Sequence, residues 1–124
     1  MRILIVDDSD ATRRILRTVA RSRAWTVCGE AQNGSSGLEK FRELQPEVVL
    51  LDLAMPDMNG IEVAKKMSAL NPKVPLILFT ILDIQGLEPK ARDAGIRTVV
   101  PKTDIWRLIL SVENAASSRP GTVC

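Results

Sequence analysis

Short apolar runs rich in β-branched residues recur along this chain, each followed by a stretch with helical spacing. That alternation constrains the fold more than any other feature. Ile3-Leu4-Ile5-Val6, Val48-Val49-Leu50-Leu51, Pro75-Leu76-Ile77-Leu78-Phe79 and Thr98-Val99-Val100 read as buried strands, and Trp25-Thr26-Val27-Cys28 as a weaker one. Nearly continuous apolar strands belong to a sheet covered on both faces, and strands alternating with helices make that sheet parallel. The expected class is therefore α/β, a doubly wound parallel sheet of five strands with five helices. In such sheets ligands bind at the carboxyl ends of the strands.

The helices are legible from their apolar faces. Asp10 is placed to cap a first helix carrying Ile15, Leu16 and Val19, with Arg13, Arg14, Arg17 and Arg21 mainly on its solvated face. Asn33-Gly34 reads as a turn before a second helix with Leu38, Phe41 and Leu44, which ends at Pro46. The third helix carries Ile61, Val63, Ala64 and Met67 and closes at Asn71-Pro72; the fourth runs to about Ala94, with Gly95 as its cap. Ile105, Leu108, Ile109 and Val112 give the last helix its stripe. A length of 124 residues suits one domain, expected over 1–115, with 116–124 as a tail or linker stub.

Composition excludes whole classes of chemistry. The chain has no histidine, so Ser-His-Asp and Cys-His catalysis, histidine phosphotransfer on this chain, and His-ligated zinc or haem are ruled out. It has no tyrosine, and two Trp with two Phe make a poor stacking surface for nucleic acid. A net charge of +2 is too even for a nucleic-acid footprint. Cys28 and Cys124 cannot form a disulfide framework; Cys28 reads as a small strand residue. No apolar run is long enough to span a membrane, and the first residues do not read as a signal peptide, so a cytoplasmic location is expected.

Four strand ends carry a reactive polar residue: Asp7-Asp8, Asp52, Thr80 and Lys102. The fold brings these ends to one crevice. Two carboxylates about 4 Å apart repel by roughly 4 kcal/mol at an effective dielectric near 20, so three need a cation. An all-oxygen donor set suits Mg²⁺, which often shares its shell with a phosphate. A carboxylate can also act as nucleophile and form an aspartyl-phosphate, with lysine and a hydroxyl binding the phosphoryl oxygens.

The ordered set Ile5-Val6-Asp7-Asp8, Leu50 to Gly60 (LLDLAMPDMNG), Phe79-Thr80, Ala94-Gly95 and Lys102 resembles the receiver domain of two-component response regulators over residues 1–115. The resemblance implies a chemotaxis-type, flavodoxin-like (βα)5 fold with strand order 2-1-3-4-5. It implies Asp52 as phosphoacceptor and Mg²⁺, with Mn²⁺ as a substitute, held by Asp7, Asp8, Asp52 and the Ala54 carbonyl. Thr80, Lys102 and the backbone N–H of Ile81 would bind the phosphoryl group, while Pro56 and Gly60 would shape the loop. Implied partners are a histidine kinase or phosphotransfer protein, with a homodimer through the face of helix 4, strand 5 and helix 5. No direct DNA contact is implied, although Cys28-Gly29-Glu30-Ala31 and Asn33-Gly34 resemble receivers that precede DNA-binding domains.

Two positions depart from the family pattern. Ile81 follows the switch threonine where a small residue is usual; its branched side chain either crowds the site or packs on the next helix. Val99 stands where the family commonly carries Tyr or Phe, so a large rotamer switch is absent. Thr103 replaces a common proline, and a cis peptide after Lys102 is not expected. A degenerate receiver serving as a phosphorylation-independent interaction module is a second reading. A Mg²⁺-dependent aspartyl-phosphate phosphatase is a third, disfavoured because Ala54 stands where that chemistry uses a carboxylate. Nucleotide binding is disfavoured by the absence of phosphate-loop motifs.

Overall fold

Each apolar run forms a strand and each amphipathic stretch a helix. The computed structural model describes residues 1–81 and 86–117. The elements in chain order are β1 (Arg2–Val6), α1 (Asp10–Ser22), β2 (Thr26–Ala31), α2 (Gly34–Leu44), β3 (Val48–Leu51), α3 (Gly60–Leu70), β4 (Leu76–Thr80), α4 (Glu88–Asp93), β5 (Ile96–Pro101) and α5 (Ile105–Ser117). The five strands form one sheet in the order β2-β1-β3-β4-β5, and every pairing is parallel.

Strand side chains alternate between two separate cores. Leu4, Val6, Val49, Leu51, Leu76 and Leu78 face α2, α3 and α4, where Phe41, Val63, Met67 and Ala91 meet them. Ile3, Ile5, Val48, Leu50, Ile77 and Phe79 point the other way, onto Leu16, Leu108, Ile109 and Val112 of α1 and α5. Burial on both faces explains why these strands lack the polar alternation of a half-exposed sheet. Order reverses beside β1, which lies between β2 and β3, so the crevice of this fold opens at the ends of β1 and β3.

Several local expectations are corrected. Ser9, not Asp10, caps α1: its side chain accepts from the Thr12 N–H, and Asp10 is the first helical residue. Asn33 is the cap of α2, accepting from Ser36 N–H, so Asn33-Gly34 is a helix start rather than a free turn. Ile15, expected on the buried face of α1, is 51% exposed, whereas Arg13 is buried. Arg13 falls on the stripe of Leu16 and Ala20 at helical spacing. Gly95 follows α4 with φ +93°, a left-handed conformation that suits its glycine. Helix α5 continues through Ser117, two residues into the stretch expected to be a tail, and Ala115 just before it is fully buried. Trp106 and Leu110 of α5 are exposed. Cys124 lies outside the described residues.

Candidate functional site at the carboxyl ends of the strands

The backbone ladder places the carboxylates. Asp7 N–H donates to Ala31 O at 3.0 Å and Asp52 N–H donates to Val6 O at 2.9 Å, so each residue extends its strand by one rung. Since Val6 pairs with Leu51, the next residues, Asp7 and Asp52, stand side by side. Carboxylate oxygens of Asp7, Asp8 and Asp52 lie within 4.8 Å of one another. Asp7 and Asp52 are buried, while Asp8 is exposed and forms the open side.

Lys102 brings the positive charge. It follows β5, and its own N–H donates to Thr80 O at 2.8 Å, tying the ends of β4 and β5 together. Its Nζ lies 2.9 Å from Asp7 Oδ2 and 3.6 Å from Asp52 Oδ2. The ammonium therefore sits closer to Asp7 than to Asp52. Thr12 Oγ1 accepts a third contact from it at 3.3 Å. Thr12 has no strand-end position to flag it; only its place in the first turn after Asp7 and Asp8 brings it here.

The charges are not in balance. Asp52 is pushed up to about 6, first by burial and then by the neighbouring Asp7 carboxylate, while Lys102 and the Leu53 N–H pull it back. The Leu53 N–H to Asp52 Oδ1 bond is 2.8 Å. One ammonium thus only partly offsets three carboxylates, which is the chemistry of a site suited to a hard cation with oxygen ligands. The donor set contains no nitrogen or sulfur ligand, and it fits Mg²⁺ or Mn²⁺.

The other expected residues, Val99 apart, occupy the same edge of the sheet. Thr80 ends β4 and is buried. Ala54 is exposed, two residues beyond Asp52, and Pro56 lies on an exposed bend. Gly60 is needed as glycine: a Cβ there would overlap the Asp52 carbonyl, with the Leu53 Cα only 3.0 Å away. Its N–H donates to Leu53 O at 2.7 Å, folding the loop back beside Asp52. Ile81 is 78% exposed and so is not packed beneath a helix. Val99 is buried in the core below α4.

Asp57 is a further residue that strand-end logic passes over. Its Oδ1 accepts from Gly34 N–H at 2.8 Å, and its Oδ2 accepts from Ser35 N–H at 2.9 Å and Ser35 Oγ at 2.7 Å. These bonds hold its carboxyl down at about 2. The loop after Asp52 is thereby tethered to the start of α2.

An acidic pocket at the topological switch of a doubly wound sheet, faced by a lysine just past the last strand, defines a receiver of the flavodoxin-like type. The chain belongs to the response regulator receiver domain family, whose pattern it matches over residues 3–113. It is 44% identical over 64 residues to the chemotaxis protein CheY of Thermotoga maritima, covering 52% of this chain and 53% of that protein. The chain thus spans about half the length of the curated relatives it matches at that level. Among solved structures it is similar to a two-component response regulator of the LuxR family from Aurantimonas sp. (27% identity, TM-score 0.88, 98% of this chain and 91% of that one). The response regulator domain of Thermotoga maritima CheB gives the same identity and TM-score over 97% and 98% of the two chains. Among the described residues no helix is long and apolar enough to cross a membrane.

Proposed function

We propose that this chain is a phosphorylation-dependent signalling switch in which Asp52 accepts a phosphoryl group from a histidine kinase or phosphotransfer protein. The observation that carries the reading is the convergence of Asp7, Asp8 and Asp52 within 4.8 Å, with the Lys102 ammonium 2.9 Å from Asp7 and 3.6 Å from Asp52. A degenerate interaction module has no use for a buried, partly uncompensated carboxylate beside two others. Asp7, Asp8, Asp52 and the Ala54 carbonyl would hold Mg²⁺, which when bound neutralises phosphoryl charge during transfer.

The chain's own groups account for the rest. Asp52, with its carboxyl near 6, is largely ionised at neutral pH and can attack phosphorus. Its Oδ–P bond forms as the donor's P–N bond breaks, and the electron pair leaves on the donor imidazole. Lys102 moves its ammonium onto a phosphoryl oxygen, while the Thr80 hydroxyl and Ile81 N–H take the others. Exposed Ile81 stands at the mouth and slows small phosphodonors and attacking water. No turnover of an external substrate is expected, and the setting is cytoplasmic.

The changed state is read at the face of α4, β5 and α5, without direct DNA contact by this domain. A cavity of about 180 Å³ there is lined by Arg92, Arg97 and Arg107, with one acidic residue, Glu88, over Ala91, Ile96 and Val99. An acidic effector suits it; a second copy of the chain is the other occupant. Incubation with acetyl phosphate and Mg²⁺, followed by intact mass, tests the switch. One added phosphoryl group is expected, abolished in Asp52→Ala and by EDTA; no gain with any donor favours the degenerate module. Ile81→Ala is expected to label faster, and an unchanged rate removes Ile81 as a gate.

A further inference from the structure

Arg13 stands behind the acidic cluster without being one of its ligands. Its side chain is buried in α1, and Nη1 donates to the backbone carbonyl of Asp7 at 2.6 Å. Nη2 pairs with Asp10, and Nε lies 3.4 Å from Glu30 Oε1. Glu30 is held in turn by Arg17 Nη1 at 2.6 Å, and the Glu30 carbonyl accepts from Lys40 Nζ. One guanidinium therefore ties α1 and the end of β2 to a single peptide group, the one joining Asp7 to Asp8.

That peptide matters because of how differently the two carboxylates are held. Asp7 is fixed through its N–H on Ala31 O, its Oδ1 accepting from Ser9 N–H at 2.9 Å, and its Oδ2 facing Lys102. Asp8 is exposed and makes no side-chain hydrogen bond or ion pair with the described residues. Its place in the cluster is inherited from the backbone, and the Asp7 carbonyl is the anchored group immediately before it.

We propose that Arg13 is a positioning residue for the cation site: by fixing the Asp7–Asp8 peptide it keeps the Asp8 carboxylate within reach of Asp7 and Asp52. This rests on the reading of that cluster as a divalent-cation site. Two effects of the guanidinium have opposite signs. As a positive charge near the cluster it repels a cation, so deleting it tightens binding on electrostatic grounds alone. As an anchor it holds a ligand in place, so deleting it weakens binding. Groups that orient metal ligands typically contribute 10–100-fold in affinity, which makes the anchor the larger effect.

The test is a calorimetric Mg²⁺ titration of the full chain and three variants, with thermal midpoints measured alongside. Arg13→Met keeps the apolar stem and loses the donors; its Mg²⁺ affinity is expected to fall on the order of tenfold. Arg13→Lys keeps the charge but cannot hold the Asp7 carbonyl and both flanking carboxylates in one fork, so a smaller loss is expected. Leu16→Ala opens a hole in the core on the same helix; it should lower the midpoint and leave Mg²⁺ affinity unchanged. Equal or tighter binding by Arg13→Met overturns the proposal, and so does an affinity loss in Leu16→Ala that matches it. Should Arg13→Met fail to fold, Arg13→Lys decides, and unchanged affinity there overturns it. Absence of Mg²⁺ binding by the wild type overturns the cation site itself, and that titration separates the two failures.

Discussion

Asp52 is held at a cost to the folded protein that a pH titration exposes. Its carboxyl rises to about 6 from an ordinary value of 3.8, because burial removes water and Asp7 repels the charged form. Between those values the folded state binds more protons than the unfolded one, so the contribution to stability falls as pH rises through 6. Without metal, Asp52→Asn should therefore raise stability above pH 6, by up to roughly 3 kcal/mol, and give no gain below pH 4. Denaturant unfolding in EDTA across that range checks it; a gain independent of pH refutes it. Asp7, Asp8, Asp52 and Lys102 were legible because a polar residue ending an apolar strand is conspicuous. Arg13 was not, because an arginine among arginines on a helix reads as solvated. Its position in register with Leu16 and Ala20 was the signal that could have marked it.

Elements enter this site through their ends. Four helices begin with a polar side chain closing the first turn: Ser9 for α1, Asn33 for α2, Asn59 for α3 and Asp104 for α5. Asn59→Ala should cost about 1 kcal/mol, the usual value of such a cap, in chemical denaturation. The segment between β3 and α3 is pinned twice, by Gly60 against Asp52 and Leu53 and by Asp57 on the start of α2. Gly60→Ala forces a backbone shift at Asp52 and should cost roughly 3 kcal/mol or more, with labelling by acetyl phosphate lost in the folded fraction. Asp57→Ala frees two N–H groups, and faster hydrogen exchange at Gly34 and Ser35 is the expected mark. Sequence periodicity places most strands and helices within a residue or two, since burial dictates them, but β2, a half-buried edge strand, runs three residues past Cys28 to Ala31. Periodicity placed Asp10 and Asn33 wrongly because capping depends on which side chain turns back onto the helix, a choice spacing does not encode.

At the scale of the whole molecule the sheet divides two cores, and the site sits on the edge where both end. Leu78 and Phe79, adjacent in β4, face opposite cores just before Thr80. A displacement of Thr80 is thus felt on both sides of the sheet. Three arginines against the single Glu88 leave the cavity at α4, β5 and α5 net positive, which sets an expectation for assembly: a second copy docked there would bring two faces of the same net sign together. Sedimentation velocity of the phosphorylated chain should show a monomer at low ionic strength, and any dimer through this face should strengthen as salt screens the repulsion. A dimer that weakens with salt would show that the arginines meet carboxylates instead. Helix α5 starts beside Lys102 and runs back along the sheet to Glu113, which forms a two-pronged bond with Arg23 beyond the far end of α1. Its last turn is therefore on the opposite rim from the carboxylates, about 17 Å away along a five-residue strand. A fluorescent reporter grafted onto that last turn would leave the mouth of the pocket open to a donor protein, and any change it recorded would have crossed the full height of the sheet.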